Sequence, residues 1–374
     1  MMNILIKNGI IFAPGKIGKA DILIVNNKVV KIAQSIRKND FNFDLTEIDA
    51  SEKFITPGFI DLHTHIIGGG GEGGYATMAP EIQSNDVLSA GVTTLIGLLG
   101  TDATFRSVEN LLAKARSLES HGITAYIMTG SYQYPSPTIT GSVKKDIAFI
   151  DKILGVKIAI CDHRGSPLDS KILATLASDA RVGGMLSGKH GFVTIHTGNA
   201  KEKLNILFEA IEKYNTPASH YLPTHINRNS DIFNDAVQFA LNGGNIDITA
   251  SPNIGETDGF ITSGIAIRKA LERGVNKKRI TVSSDSNGTW SKYDSNGNII
   301  EIGVSSIKDL YEDFKLMLTE YNFTLEEALP YFTSNQADFL QFKHKGRIIE
   351  GNDADILILD SNYNISNVIA GGKI

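Results

Sequence analysis

Five side chains could bind a divalent metal if the fold brought them together: His63, His65, His196, His225 and Asp285. His63 and His65 stand two apart, so in a β-strand they project to the same side. A single His-X-His pair is a weak signal, because ordinary surface or core histidines also produce it. Four histidines and an aspartate on four strand ends of one barrel are harder to attribute to chance. Imidazole nitrogens with a carboxylate suit zinc and related divalent ions. Lys157, within Gly155-Val-Lys-Ile-Ala-Ile-Cys-Asp, is the sixth residue of interest. Burying it charged and unpaired among branched apolar residues would be costly. Either its ammonium snorkels to solvent or to a carboxylate, or the neutral amine has combined with carbon dioxide as a carbamate bridging two metals. The residues themselves leave both readings open.

These side chains need a scaffold that gathers strand ends. Eight β-prone runs are expected at 59–65, 93–100, 124–130, 156–162, 192–198, 221–227, 245–250 and 279–285. Their spacing matches the roughly 30-residue βα repeat of parallel α/β units. Amphipathic helices lie between them: Val108, Leu111, Leu112 and Ala115 share one face, as do Leu204, Leu207, Phe208 and Ile211. Ile307, Leu310, Phe314, Met317 and Tyr321 form a third such stripe. Eight repeats favour a closed (β/α)8 TIM barrel, whose chemistry sits at the carboxyl ends of the strands. Both chain ends read as short strands, and neither holds enough of them for a stable sheet alone. The expectation is a small β-sandwich domain built from residues 1–56 and 343–374, with the barrel occupying 57–342.

Composition narrows the class. Hydrophobic residues make up 42% and charged residues 21%, so neither disorder nor a disulfide scaffold is indicated. The net charge of −5 gives no support to a nucleic-acid or anionic-membrane partner. The single Cys161 suits a reducing compartment. No apolar run approaches a transmembrane span, and the start breaks too early for a signal peptide. The expected setting is cytoplasmic.

Pro57-Gly58-Phe59-Ile60-Asp61-Leu62-His63-Thr64-His65, with His196, His225 and Asp285, resembles the amidohydrolase superfamily. Within it, the sequence is similar to the isoaspartyl (β-aspartyl) dipeptidases. The similarity lies in the glycine run 68–74 around Glu72, Gly97-Leu-Leu-Gly-Thr-Asp, Thr138-Ile-Thr-Gly-Ser-Val-Lys-Lys-Asp, Asp162-His-Arg, Pro223-Thr-His-Ile-Asn-Arg-Asn and Ser283-Ser-Asp-Ser-Asn-Gly. The resemblance implies a metallopeptidase with two zinc ions per subunit. His63, His65 and Asp285 would hold one, His196 and His225 the other, and carboxylated Lys157 would bridge them. It further implies attack by a hydroxide shared between the metals, with Asp285 shuttling the proton.

The implied substrate is a β-aspartyl dipeptide, which carries an α-ammonium and two carboxylates. Glu72 would take the ammonium, and Gly70 and Thr101 would donate to the aspartyl carboxylate. Arg164 and Arg228 would clamp the leaving residue's carboxylate, and Tyr132 the developing oxyanion. The glycine run lacks the Gly-Lys-Ser/Thr ending of a phosphate-binding loop. Thr289 stands where the family pattern has serine, and the segment 251–263 is longer than that pattern. Both bear on which dipeptide is preferred. The resemblance also implies a large symmetric homo-oligomer such as an octamer.

Other residues carry less. Cys161, Asp162 and His163 are adjacent, and strand alternation would send Cys161 and Asp162 to opposite faces. His121, His190, His220 and His344 have no matching strand-end partners. The alternative activity on the same barrel is hydrolysis of a cyclic amide, as in dihydroorotases and hydantoinases. A non-catalytic scaffold would be expected to lack ligands, and none is missing here.

Overall fold

The structure is a computed structural model that describes residues 3–251 and 259–374. All eight expected βα strands are present. Six pair in parallel, in chain order: Phe59–Thr64, Val92–Gly97, Thr124–Gly130, Ile153–Ile160, Phe192–Thr197 and Tyr221–Thr224. The seventh and eighth, Ile246–Thr249 and Ile280–Ser283, form a parallel pair of their own. The sheet curls until the last strand meets the first, where Thr64 bridges Ser286 in parallel. Four of the eight strands end two or three residues before the expected limits, because the chain turns out of extended geometry where the polar residues begin. Cys161, His225 and Asp285 all have left-handed backbones, with φ of 55°, 60° and 53°. Such conformations cost a side-chain-bearing residue free energy and cluster at functional sites.

Side chains close the barrel where backbone pairing lapses. Between the sixth and seventh strands, Thr224 donates to Asp247 Oδ2 at 2.7 Å, while Asn227 Nδ2 donates to the Thr249 carbonyl at 3.0 Å. Asp247 also accepts from Thr281 and Ser283 on the eighth strand, at 2.6 and 2.5 Å. Between the eighth strand and the first, Asp61 Oδ1 accepts from the amides of His63 and Ser284 at 3.2 and 3.1 Å. Burial raises the carboxyls of Asp247 to about 6 and of Asp61 to about 7.

Helices sheathe the barrel with the expected apolar stripes. Val108–Ser120 buries Val108, Leu111, Ala115 and Leu118, whereas Leu112 is only partly covered. Lys308–Thr319 buries Leu310, Phe314 and Met317. Helix starts are fixed by side-chain caps from Ser107, Asp169 and Asn229. The Asn229 cap follows Arg228 directly and so anchors that arginine's backbone.

The strands of both chain ends join a single seven-stranded sheet, in the order Ile365–Ile369, Ile356–Leu359, Phe54–Pro57, Asn3–Phe12, Lys16–Val25, Lys28–Ala33, with Thr46–Asp49 beside Asn3–Phe12. One continuous sheet takes the place of the two separately bonded layers that a sandwich implies. It is still buried on both faces. Ile4, Ile6, Ile22, Ile24, Ile356 and Ile358 face one core, while Leu5 and Leu23 meet Ile36 and Leu45 on the other. Leu357 and Leu359 join the main core of the barrel.

Candidate active site at the mouth of the barrel

The expected ligands converge at the carboxyl ends of the strands. His63, His65 and Asp285 place ligand atoms within 4.8 Å of one another. His65 Nε2 lies 3.3 Å and His63 Nε2 3.6 Å from Asp285 Oδ1. His225 is centred 5.0 Å from the His63 ring and 4.8 Å from His196. Lys157, fully buried, puts its Nζ 2.7 Å from His63 Nε2. Burial holds His63, His196 and His225 well below the usual imidazole range, so all three are neutral, as metal ligands must be. Burial likewise brings the Lys157 amine down to about 7, against the opposing pull of Asp285. The Nδ1 atoms of His63 and His65 are buried without a hydrogen-bond partner. Neutral imidazoles, a carboxylate and orphaned ring nitrogens in one cluster fit a divalent metal such as zinc.

A cavity of about 900 Å³ opens above this cluster. On one wall, Glu72 is held by three donors: Thr289 Oγ1 at 2.7 Å, Thr101 Oγ1 at 3.0 Å and Arg164 Nη1 at 3.5 Å. Both Gly70 and Thr289 line the cavity, and the methyl group distinguishing Thr289 from serine lies between them. It packs on Gly70 (φ 97°), where an added Cβ would lie 2.6 Å from Thr289 Cγ2. The two arginines differ. Arg164 forks onto Asp162, with Nε to Oδ1 at 2.9 Å and Nη2 to Oδ2 at 2.7 Å. The Arg228 guanidinium lines the cavity with no hydrogen bond or ion pair among the described residues. Burial lowers its pKa, and Arg164 adds to that effect. Tyr132 donates its hydroxyl towards His196 Nδ1 at 2.6 Å.

Asp162, Asp61, Asp247 and Asn227 enter the site or its frame without having been singled out in the sequence. Asp61, Asp162 and Asn227 each lay within a stretch that carried the family resemblance, whereas Asp247 lay in none. The segment 251–263 falls partly outside the described residues.

A model of the amidohydrolase family matches residues 54–374. The crystal structure of a β-aspartyl dipeptidase from Fervidobacterium islandicum AW-1, in complex with β-Asp-Leu, is 41% identical with a TM-score of 0.94, covering 100% of this chain and 95% of that one. A D-hydantoinase structure at 16% identity, covering 100% of this chain and 95% of its own, shares the fold with a TM-score of 0.69. A dihydroorotase of Listeria monocytogenes is 25% identical over 391 residues, spanning 95% of this chain and 88% of the relative. With the expected ligand residues gathered at the strand ends, the chain belongs to the amidohydrolase family and is a hydrolase.

Proposed function

We propose that the protein hydrolyses the β-aspartyl bond of dipeptides at this site, with zinc as its cofactor. The observation that carries the proposal is the charge pattern facing the cavity. Glu72 is fixed by three donors, while the Arg228 guanidinium forms no hydrogen bond or ion pair with a described residue, so one wall suits an ammonium and another a carboxylate. A free β-aspartyl dipeptide has both groups, and a cyclic amide has no α-ammonium for Glu72 to meet. The β-Asp-Leu bound in the Fervidobacterium relative supports the same substrate class.

His63, His65 and Asp285 would hold one zinc ion, His196 and His225 a second, and Lys157 as its carbamate would bridge them. When bound, the metals supply Lewis acidity at the scissile carbonyl and lower the pKa of water. Arg228 anchors the carboxylate of the leaving residue, assisted by the outward Nη1 of Arg164. Glu72 orients the ammonium, and Gly70 and Thr101 flank the aspartyl carboxylate. Asp285 lies against His63 and His65, placed to take a proton from water and return it to the departing amine. The Tyr132 hydroxyl is the nearby donor for the carbonyl oxygen as charge builds there. In this account the chain-end sheet (1–56 and 343–374) is an accessory domain to the barrel (57–342). The protein works as a cytoplasmic homo-oligomer, and no described helix is long and apolar enough to cross a membrane.

The test compares β-Asp-Leu, α-Asp-Leu and dihydroorotate, each with zinc and after chelation. Zinc-dependent cleavage of the β-linked peptide alone is expected. The dihydroorotase likeness makes cyclic-amide hydrolysis the second reading, and turnover of dihydroorotate in place of the dipeptide would establish it.

A further inference from the structure

Asp162 touches both halves of the site. Its side chain is 4% exposed. Oδ2 lies 2.9 Å from His196 Nε2 and accepts Arg164 Nη2 at 2.7 Å. Oδ1 accepts Arg164 Nε at 2.9 Å and the Arg164 backbone amide at 2.8 Å. These four contacts match the roughly four acceptor positions of a carboxylate.

Local backbone geometry explains why Asp162 turns inward. The fourth strand ends at Ile160, and the left-handed Cys161 breaks the alternation that would carry its successor away from the site. The turn is pinned by Ala200 N donating to the Cys161 carbonyl at 3.0 Å. It also packs directly on Gly198, where a Cβ would lie 2.1 Å from the Cys161 oxygen and 2.6 Å from Asp162 Cα. Thus the fifth strand, which carries His196, is followed directly by a residue without a side chain at the point where the Asp162 turn must pass.

We propose that Asp162 is a positioning residue that sets the His196 imidazole and the Arg164 guanidinium together, so that metal retention and recognition of the substrate's carboxylate depend on one side chain. The substrate half of this inference rests on the function proposed above, and the metal half does not. By accepting the Nε2 proton, Asp162 leaves Nδ1 of His196 as the lone-pair nitrogen, on the side where the Tyr132 hydroxyl reaches it. By occupying Nε and Nη2 of Arg164, it leaves Nη1 as the edge directed at Glu72 and the cavity.

The test uses the zinc-loaded enzyme and four variants: Asp162→Asn, Arg164→Met, the double variant and Gly198→Ala. Zinc affinity is read by competition with a chelator, separately from KM and kcat for β-Asp-Leu. Asp162→Asn is expected to weaken zinc retention by about 10–100-fold, the usual cost of losing a partner behind a ligand, and to raise KM. Arg164→Met should raise KM while leaving zinc retention unchanged. In the Arg164→Met background, adding Asp162→Asn should still weaken zinc but leave KM where Arg164→Met put it, because that effect runs through the arginine. Gly198→Ala, which displaces the turn with the carboxylate intact, should weaken zinc in the same direction as Asp162→Asn. Zinc retention within twofold of the parent in Asp162→Asn overturns the proposal, as does a KM effect of equal size with and without Arg164. Should the parent enzyme leave β-Asp-Leu uncleaved, the substrate reading fails, and the zinc measurements still decide whether Asp162 sets His196.

Discussion

Lys157 and Lys345 are both withdrawn from solvent, in opposite surroundings. Lys345 lies at the seam between the chain-end sheet and the barrel, where its Nζ donates to Asp355 Oδ2 at 2.6 Å and Thr124 Oγ1 at 2.7 Å and lies 3.0 Å from Asp353 Oδ2. Burial opposes its charge, but the two carboxylates outweigh burial and raise its pKa. Lys157, at the barrel mouth, forms no ion pair with a described carboxylate, and its nearest polar neighbour is a histidine nitrogen 2.7 Å away. Burial prevails there and the amine falls to about 7. The difference decides what each lysine can be. With acceptors supplied, Lys345 is a structural cation; without them, Lys157 is an amine that can be neutral, as addition to carbon dioxide with loss of a proton requires.

Substituting each lysine should break different properties. Lys157→Ala is expected to lose zinc and activity by more than the roughly 10–100-fold that removal of an outer partner costs. Elemental analysis beside a rate measurement checks this, and a zinc-replete, active variant would remove Lys157 from the ligand set. Lys345→Met should cost about 3–5 kcal/mol of stability, since the buried Asp355 loses its cationic partner and the half-buried Asp353 keeps only Lys28, while zinc content and KM stay at parental values. That loss depends on pH. The folded-state pKa of Lys345 is raised, so its contribution is fully present below the ordinary lysine value and fades as pH rises through the folded one. Asp353 is depressed, so its share is present above the ordinary aspartate value and fades on acidification. Melting curves of parent and variant should therefore differ most between about pH 5 and 10, and converge at both extremes.

Two smaller effects sharpen the picture of the mouth. Arg228→Met should raise KM for β-Asp-Leu by roughly 10–100-fold, from the loss of a charge-assisted contact. An unchanged KM would place the substrate's carboxylate elsewhere. Thr289→Ser should change kcat/KM by only about fourfold or less, since one methyl group contributes about 0.8 kcal/mol and this one packs on Gly70. A larger shift would mean that the methyl group shapes the cavity.

The sequence carried the eight-strand frame because βα periodicity is local, and it carried the ligand cluster because His-X-His and the isolated strand-end residues sit within that period. Asp162 escaped for a definite reason. Alternation along a strand sent it away from the site, yet the left-handed turn at Cys161 lies beyond the strand's end, where alternation no longer applies. Glu72 and Arg164 read as separate contacts to the substrate, and nothing local to either shows that they touch each other at 3.5 Å. The chain-end sheet was legible as strands, but its pairing order depends on contacts between residues some three hundred positions apart, such as Ile55 with Ile358. Asp61 and Asp247 likewise act between strands; Asp247 sits in no motif, and the Pro57–His65 stretch that contains Asp61 does not show its role in closing the barrel.

The most direct test of the contrast between the two lysines is carbon-13 NMR of zinc-loaded protein prepared in labelled bicarbonate, with zinc counted on the same sample. A single carbamate signal, present in the parent and in Lys345→Met but absent from Lys157→Ala, is the predicted result. Full zinc occupancy in the parent without any carbamate signal would contradict it, and would leave the buried Lys157 as a plain amine beside the metal site.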